Sequence, residues 1–376
     1  MDKRLKILHA NTGLVAGGAE RLITDMALSL SKKDCTVEVM LLEDKGNNIF
    51  EKELVEGKVK IDILKYNNKF DFRNLFLIRR KIKNFDVVHV HIFPMLYWVA
   101  LATIGLKNKP ILIATEHNTY NRRRNYKFLW ILEKFIYSLY DKIISITPET
   151  ETELLNWIKE KPSGRFETIL NGIDIKKFKN AKGISLSNLL VKDVNISDRF
   201  LIMVARFDEQ KDHETLLNSL TLLDDSVKLI LVGEGVLKNH YQNRVKELNI
   251  SDRVFFIGRR RDVPEIVKSA NISIISSNWE GFGLVAIEAM AAGIPVLASK
   301  VPGLDNVVKG AGILFEKGNY VELAENISKM LEDQSLAEKY SILGMKRANQ
   351  YDIDIMVNKY KSVYNDLLKR KHKLRR

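Results

Sequence analysis

Hydrophobic positions along this chain alternate between short solid runs and longer periodic ones. K-I-L-H-A (6–10), T-V-E-V-M-L-L (36–42), F-D-V-V-H-V-H (85–91), P-I-L-I-A-T (110–115) and K-I-I-S-I-T (142–147) are short and rich in Val and Ile. Such runs predict strands covered on both faces, as in a parallel sheet between helices. E-R-L-I-T-D-M-A-L-S-L (20–30) has helical spacing instead. The second half repeats the scheme. F-L-I-M-V-A (200–205), V-K-L-I-L-V-G (227–233), V-F-F-I-G (254–258), I-S-I-I-S-S (272–277) and P-V-L-A-S (295–299) read as strands. H-E-T-L-L-N-S-L (213–220), Y-Q-N-R-V-K-E-L (241–248) and V-A-I-E-A-M-A-A (285–292) read as helices. Periodicity weakens between Gly172 and Asp198. The pattern predicts two doubly wound α/β domains, residues 1–172 and 173–352, facing a common cleft. A last helical pattern, Ile355 to Lys371, lies in the segment 353–376.

Composition narrows this picture. A length of 376 residues suits two domains, and 45% hydrophobic with 28% charged residues suits a globular protein. The single cysteine, Cys35, excludes an intramolecular disulfide and a multi-cysteine zinc site, and fits a reducing cytoplasm. The basic start has too short an apolar run for a signal peptide. Ile92 to Leu106 is uncharged but contains Pro94, falls short of a membrane span and predicts a buried helix. Net charge is +13, and six of the last eight residues, Lys369 to Arg376, are basic. That tail fits an anionic membrane surface, a nucleic acid, or a role in solubility alone.

Candidate chemistry follows the predicted strands. In E-G-F-G-L-V-A-I-E, Glu280 and Glu288 bracket a Gly-rich turn that opens into a helix. Gly281 and Gly283 let a ligand approach the backbone, and a helix N-terminus favours negative charge. With a carboxylate to accept sugar hydroxyls, the element suits a phosphorylated, hydroxyl-rich ligand. A-R-F-D-E-Q-K-D (205–212) puts Arg206 and Lys211 in one loop, either to neutralise a diphosphate or as part of a solvated mixed-charge turn. The loop G-L-V-A-G-G-A-E (13–20) lacks the G-x-G-x-x-G spacing of dinucleotide sites, so Gly17 and Gly18 either approach a ligand or make a tight turn. His117 in T-E-H-N-T is a proton or hydrogen-bond donor, or a structural histidine. His89 and His91 share a strand face, but no third ligand stands in spacing and a metal is not expected.

In this order the pieces resemble the retaining glycosyltransferases of family 4, with the GT-B architecture of two facing Rossmann-like domains. The likeness spans nearly the whole chain. Glu280–Glu288 looks like the paired-glutamate signature, Ala205–Asp212 like the Gly-Arg-Leu…Lys-Gly loop and Asn171–Asp174 like the Asn-Gly-Val-Asp segment. Leu231–Gly235 and Phe256–Gly258 resemble the nucleotide-side loops. Ala205 and Asp212 stand where glycines are usual, and Phe207 where leucine is common. The resemblance implies that Arg206 and Lys211 hold the diphosphate, Glu288 the ribose, and the backbone at Gly258, Arg259 and Arg260 the base. Glu280 would lie beside the donor sugar with the N–H groups of Phe282, Gly283 and Leu284, while His117 faces that sugar from the other domain. Gly17 and Gly18 would let that domain approach the phosphates, and the last helix would cross back to it. No metal or other cofactor is implied, and Asp352-Ile-Asp354 reads as a helix-start aspartate pair rather than an Asp-x-Asp metal motif.

The acceptor side is sought in Asn121–Tyr140, where Arg122, Arg123 and Arg124 precede Tyr126, Phe128, Trp130, Phe135, Tyr137 and Tyr140. Basic residues beside aromatics suit a membrane surface or an anionic acceptor, or else a core helix with a basic loop before it. The expectation is a cytoplasmic enzyme, peripheral on a membrane, that moves a hexosyl or N-acetylhexosaminyl group, UDP-linked by preference, to a saccharide or lipid-linked saccharide, with no nucleic-acid partner. An epimerase of the same architecture, a glucan phosphorylase and a polyanion-binding protein are the competing readings. The phosphorylase would need a pyridoxal-phosphate lysine and a longer chain. The binding protein leaves Glu280–Glu288 unexplained.

Overall fold

The computed structural model describes residues 4–14, 17–44, 50–66, 68–118, 121–190, 195 and 197–375, with the backbone alone at Arg122, Leu374 and Arg375. The chain divides into two compact units, Met1–Gly172 with Ile353–Arg376, and Ile173–Asp352.

The first unit is built on seven parallel strands: β1 (Leu5–Asn11), β2 (Cys35–Leu41), β3 (Lys60–Ile63), β4 (Val87–Val90), β5 (Ile111–Glu116), β6 (Lys142–Ser145) and β7 (Phe166–Thr168). Their order is β3-β2-β1-β4-β5-β6-β7, so the winding direction reverses between β1 and β4. The second unit has six: β8 (Arg199–Val204), β9 (Val227–Val232), β10 (Val254–Gly258), β11 (Ile272–Ile275), β12 (Val296–Ser299) and β13 (Ile313–Phe315). Their order, β10-β9-β8-β11-β12-β13, reverses between β8 and β11. Both units are therefore Rossmann-like, and in such sheets ligands bind at the carboxyl ends of the strands beside the reversal.

Strand alternation assigns the cores. In the first unit Leu8, Met40, Val88 and Leu112 face one layer with Tyr137 and Tyr140. Ile7, Val39, Ile113 and Ile144 face the other, which holds helix Gly18–Ser31 and the last helix, Ile353–Arg375, through Met356, Val357, Tyr360 and Tyr364. In the second unit Leu201, Leu229 and Ile274 pack against helices His213–Leu220 and Tyr320–Glu332.

The strands that periodicity did not predict are β3, β7 and β13, all at sheet edges. They are short and only partly buried, so they carry no solid apolar run. The apolar stretch from Ile92 is helical only over Met95–Ala102. Among the described residues no helix is long and apolar enough to cross a membrane.

Candidate active site

In the second unit the loops after β8 and β11 flank the sheet's reversal and are stitched together. Asn278 donates its backbone N–H to the Gln210 carbonyl at 2.7 Å. Its side chain donates to the Glu209 carbonyl at 2.8 Å, and Gln210 Nε2 donates to the Trp279 carbonyl at 2.9 Å. Ser276 Oγ donates to the Asp212 carbonyl at 2.8 Å. This lacing brings the Lys211 ammonium onto the Glu280 carboxylate as an ion pair, with Ser277 Oγ donating to the same Glu280 oxygen at 3.0 Å. Both partners are mostly buried. Arg206 differs: its side chain is 61% exposed, and among the described residues it pairs with Asp208 at 3.1 Å.

Past Glu280 the chain turns through Gly283, at φ +82°, into helix Leu284–Ala291. A Cβ at Gly283 would press on Leu304 Cδ2 at 2.6 Å, and the left-handed backbone excludes most side chains in any case. Among the described residues no acceptor takes the backbone N–H of Phe282, Gly283 or Leu284. These three donors and the helix start form an anion-binding corner. Glu288 lies one turn further on, half-buried and already engaged with a neighbour.

Two further loops line the same strand ends. After β9, a Cβ on Gly235 would strike the backbone of Phe207, and Glu234 pairs with Lys238 at 2.7 Å. At the end of β10, Gly258 has φ +67°, and a Cβ there would lie 3.1 Å from Glu234 Oε1. Arg259 is exposed, while Arg260 is tied to Asp262 at 2.6 Å. Phe207 is fully buried and stacks on His213, 4.4 Å between ring centroids. Burial lowers His213 to about 3, and its Nδ1 has no hydrogen-bond partner among the described residues.

In the first unit Gly17 precedes helix Gly18–Ser31 with extended backbone at φ −168°, and Gly18 is exposed at the helix start. Next to this reversal point β1, β4 and β5 contribute a buried histidine cluster. His9 and His89 are directly paired across β1 and β4. His9 Nδ1 lies 2.9 Å from His91 Nε2, and His91 Nδ1 lies 3.2 Å from His117 Nε2. His89 is held between Tyr364 at 2.7 Å and Thr115 at 2.6 Å. Burial lowers His9 to about 3 and His117 to about 4, and holds His89 and His91 well below the ordinary range. Spacing along one strand offered no third partner to His89 and His91; β1 supplies it, because parallel pairing sets His9 beside them. His9, His89 and His91 lie close enough for one ion, although two of them already share a short hydrogen bond.

The stretch Asn121–Tyr140 divides in two. Tyr137 and Tyr140 are core residues, donating to Glu116 at 2.6 Å and to the Leu96 carbonyl at 2.6 Å. Arg123 is not a free surface cation. It donates to Glu133, 1% exposed, at 2.6 Å, and lies 4.3 Å over the Phe93 ring. Tyr97 and Trp157 complete the carboxylate's donors at 2.7 and 2.6 Å. Arg124 is half-buried, and the Arg122 side chain lies outside the described residues. Tyr126, Phe128, Ile131 and Phe135 remain exposed. Asp354, inside the first turn of the last helix, accepts from Ser29 at 2.9 Å and Lys33 at 3.1 Å.

Sequence reasoning missed Ser277, Glu133 and His9. Ser277 stands three residues before Glu280, a spacing that marks a turn contact; the other two act through residues distant in sequence, which no local pattern reports.

Comparisons with known proteins agree in both halves. Residues 16–177 match the family model Glycosyltransferase Family 4, and residues 191–347 match Glycosyl transferases group 1. The Campylobacter jejuni N-acetylgalactosamine-N,N'-diacetylbacillosaminyl-diphospho-undecaprenol 4-alpha-N-acetylgalactosaminyltransferase is 26% identical over 90% of this chain and 93% of its own. An Escherichia coli UDP-Gal:alpha-D-GlcNAc-diphosphoundecaprenol alpha-1,3-galactosyltransferase is 25% identical over 79% and 80%. Among solved structures, Anabaena HepE in complex with UDP and glucose superposes with a TM-score of 0.82 at 19% identity, covering 96% of this chain and 100% of its own. Two Rossmann-like units, each matching a glycosyltransferase family across its own half, identify the chain as a glycosyltransferase of the GT-B fold.

Proposed function

We propose that this glycosyltransferase is a retaining, metal-independent enzyme of family 4 that transfers a hexosyl or N-acetylhexosaminyl group from a UDP-sugar to a lipid-diphosphate-linked saccharide. One observation carries the reading: Lys211 and Glu280 meet at the reversal of the second sheet, beside backbone N–H groups that have no acceptor among the described residues. Arg206 and Lys211 take the diphosphate, and their positive charge acts most strongly as charge develops on the leaving group. That supplies the role a divalent cation would otherwise fill. When a diphosphate draws Lys211 away, Glu280 is released to accept from hydroxyls of the transferred sugar. Glu288 accepts from the ribose, and Gly258 with Arg259 leaves open backbone for the base. In the first unit His117 donates to a sugar oxygen. The leaving phosphate takes the acceptor's proton on the face it departs from, which retains configuration; Glu280 is not a covalent nucleophile.

The relatives that act on undecaprenol-diphosphate-linked sugars support the acceptor class, and the UDP complex of HepE supports the donor. A membrane surface fits the exposed face of the first unit. Phe70, Phe72 and Phe76 are exposed there, as are Tyr126, Phe128 and Ile131, with the exposed cations Arg73, Arg80 and Lys127 close to them in the sequence. Arg123 is held to Glu133 at 2.6 Å.

A thermal-shift panel of nucleotide sugars tests the reading. A donor at about 100 times its Kd stabilises the fold by about 2.7 kcal/mol. UDP-sugars are expected to raise Tm more than GDP- or ADP-sugars, and no response to any of them would sink the proposal.

A further inference from the structure

The histidine row of the first unit has a consequence for His117 that rests on the reading in which His117 meets the ligand. The row runs from His117 Nε2 to His91 Nδ1, then from His91 Nε2 to His9 Nδ1, and there it ends blind. His9 Nε2 is fully buried and has no hydrogen-bond partner among the described residues. His89 does not join it, since both its nitrogens are taken by Tyr364 and Thr115. Burial keeps the three rings uncharged at neutral pH.

A neutral imidazole carries one N–H and one lone pair. Two hydrogen bonds in series through three such rings allow only two proton patterns, each setting all three rings together. In the first, every N–H points from His9 toward His117. The blind nitrogen is then a bare lone pair, and His117 has its N–H on Nδ1. In the second, every N–H points inward, an N–H is buried on His9 Nε2 with no acceptor, and His117 offers a lone pair. Buried N–H groups without an acceptor are the rarer defect in folded proteins.

We propose that His9 and His91 are positioning residues: the blind end at His9 sets the direction of the row, and the row holds His117 as the neutral Nδ1–H tautomer, a hydrogen-bond donor to an oxygen of the bound ligand. Free neutral histidine favours the other tautomer, so the assignment has a spectroscopic signature. A proton acceptor at His117 would be of no use to a phosphoryl or carbonyl oxygen; a donor serves those and hydroxyls alike.

The full chain labelled with 15N-histidine provides the test. At pH 7 His117 is expected to show a protonated Nδ1 and a bare Nε2. His91→Phe keeps the ring and removes both nitrogens; it should return His117 toward the Nε2–H form and lower kcat about tenfold, the loss of one hydrogen bond, with little change in donor KM. If that variant does not fold, His9→Asn offers both a donor and an acceptor at the blind end and should give mixed tautomers. An Nε2–H or doubly protonated His117 in the native protein overturns the proposal, as does a His91→Phe variant with unchanged tautomer and kcat. So does one equivalent of zinc that shifts the His9, His89 and His91 signals, which would make the cluster a metal site. Absence of turnover with every nucleotide sugar would refute the transferase reading but leave the tautomer measurement standing.

Discussion

Asp212 answers two demands at once. Its backbone sits in the left-handed region at φ +47°, and its carboxylate caps helix His213–Leu220 by accepting from Thr215 N–H at 3.2 Å and Thr215 Oγ1 at 2.6 Å. Glycine, usual at this position in the resembling family, meets the first demand; aspartate tolerates it and adds the cap. Asp212→Ala is expected to cost about 2–3 kcal/mol in urea unfolding, because cap and backbone both suffer, whereas Asp212→Gly should cost only a few tenths. At the residue just before it, Lys211→Ala should weaken nucleoside-diphosphate binding measured by calorimetry. Glu280→Ala should spare that binding and reduce turnover more. Because the pair is largely buried, each single change strands its partner, so the double variant should lose less stability than the two singles summed. The histidines give the fold an acid limit. Unfolded, each titrates near 6.5; folded, His9, His117 and His213 lie at about 3, 4 and 3. Between those values the unfolded chain binds more protons, so their contribution is full above pH 6.5 and lost as pH falls below it. Each such histidine should add up to about 1.4 kcal/mol of lost stability per pH unit in that window. Tm measured from pH 7.5 down to 5 should therefore fall, and fall less steeply in His213→Phe, which keeps the stack on Phe207.

Elements are joined here by a few buried polar groups as much as by apolar packing. Glu133, on helix Leu129–Ser138, gathers Tyr97 from helix Met95–Ala102, Trp157 from helix Pro148–Ile158 and Arg123 from the short 3-10 turn before it. A buried carboxylate with one cation and two neutral donors is stable only while the cation stays. Arg123→Ala should destabilise the first unit by about 3–5 kcal/mol in denaturant unfolding, and Arg123→Ala combined with Glu133→Gln by less. Interior strands were legible because burial on both faces demands a solid apolar run, as in V-V-H-V or V-K-L-I-L-V. The edge strands β3 and β7 were not, since half of each residue row meets solvent and K-I-D-I or F-E-T has no distinguishing pattern. The arginine run from 122 to 124 left a surface contact and a basic loop before a core helix equally open, and one buried acidic partner ten residues away takes Arg123 inward.

At the scale of the molecule, the chain spends its last helix on its first unit. Met356, Val357, Tyr360 and Tyr364 enter that core, and Tyr364 holds His89. The same unit carries exposed apolar and basic side chains, Phe128, Ile131 and Lys127 among them. Phe128→Ser with Ile131→Ser should weaken sedimentation with vesicles rich in anionic phospholipid while leaving Tm within about 1 °C, because Phe128 is 71% exposed and Ile131 62%. Unchanged binding by this variant would move the membrane contact elsewhere, the basic tail first.

The sequence by itself determined the two-unit α/β organisation, the interior strands, the loops at their carboxyl ends that carry Arg206, Lys211 and Glu280, and the helix after Glu280 that carries Glu288. Those are local properties: covered strands must be apolar, and Gly-rich turns before helices must be written in adjacent residues. Only the tertiary structure decided that Lys211 closes on Glu280, that Arg123 serves Glu133, and that His9 continues the row behind His117. The first and last are pairings between loops or strands far apart in the chain, and Arg123–Glu133 joins a short turn to a helix ten residues on. Sheet order and register bring such groups together, and burial then sets their charge and direction, neither of which any single stretch of sequence contains.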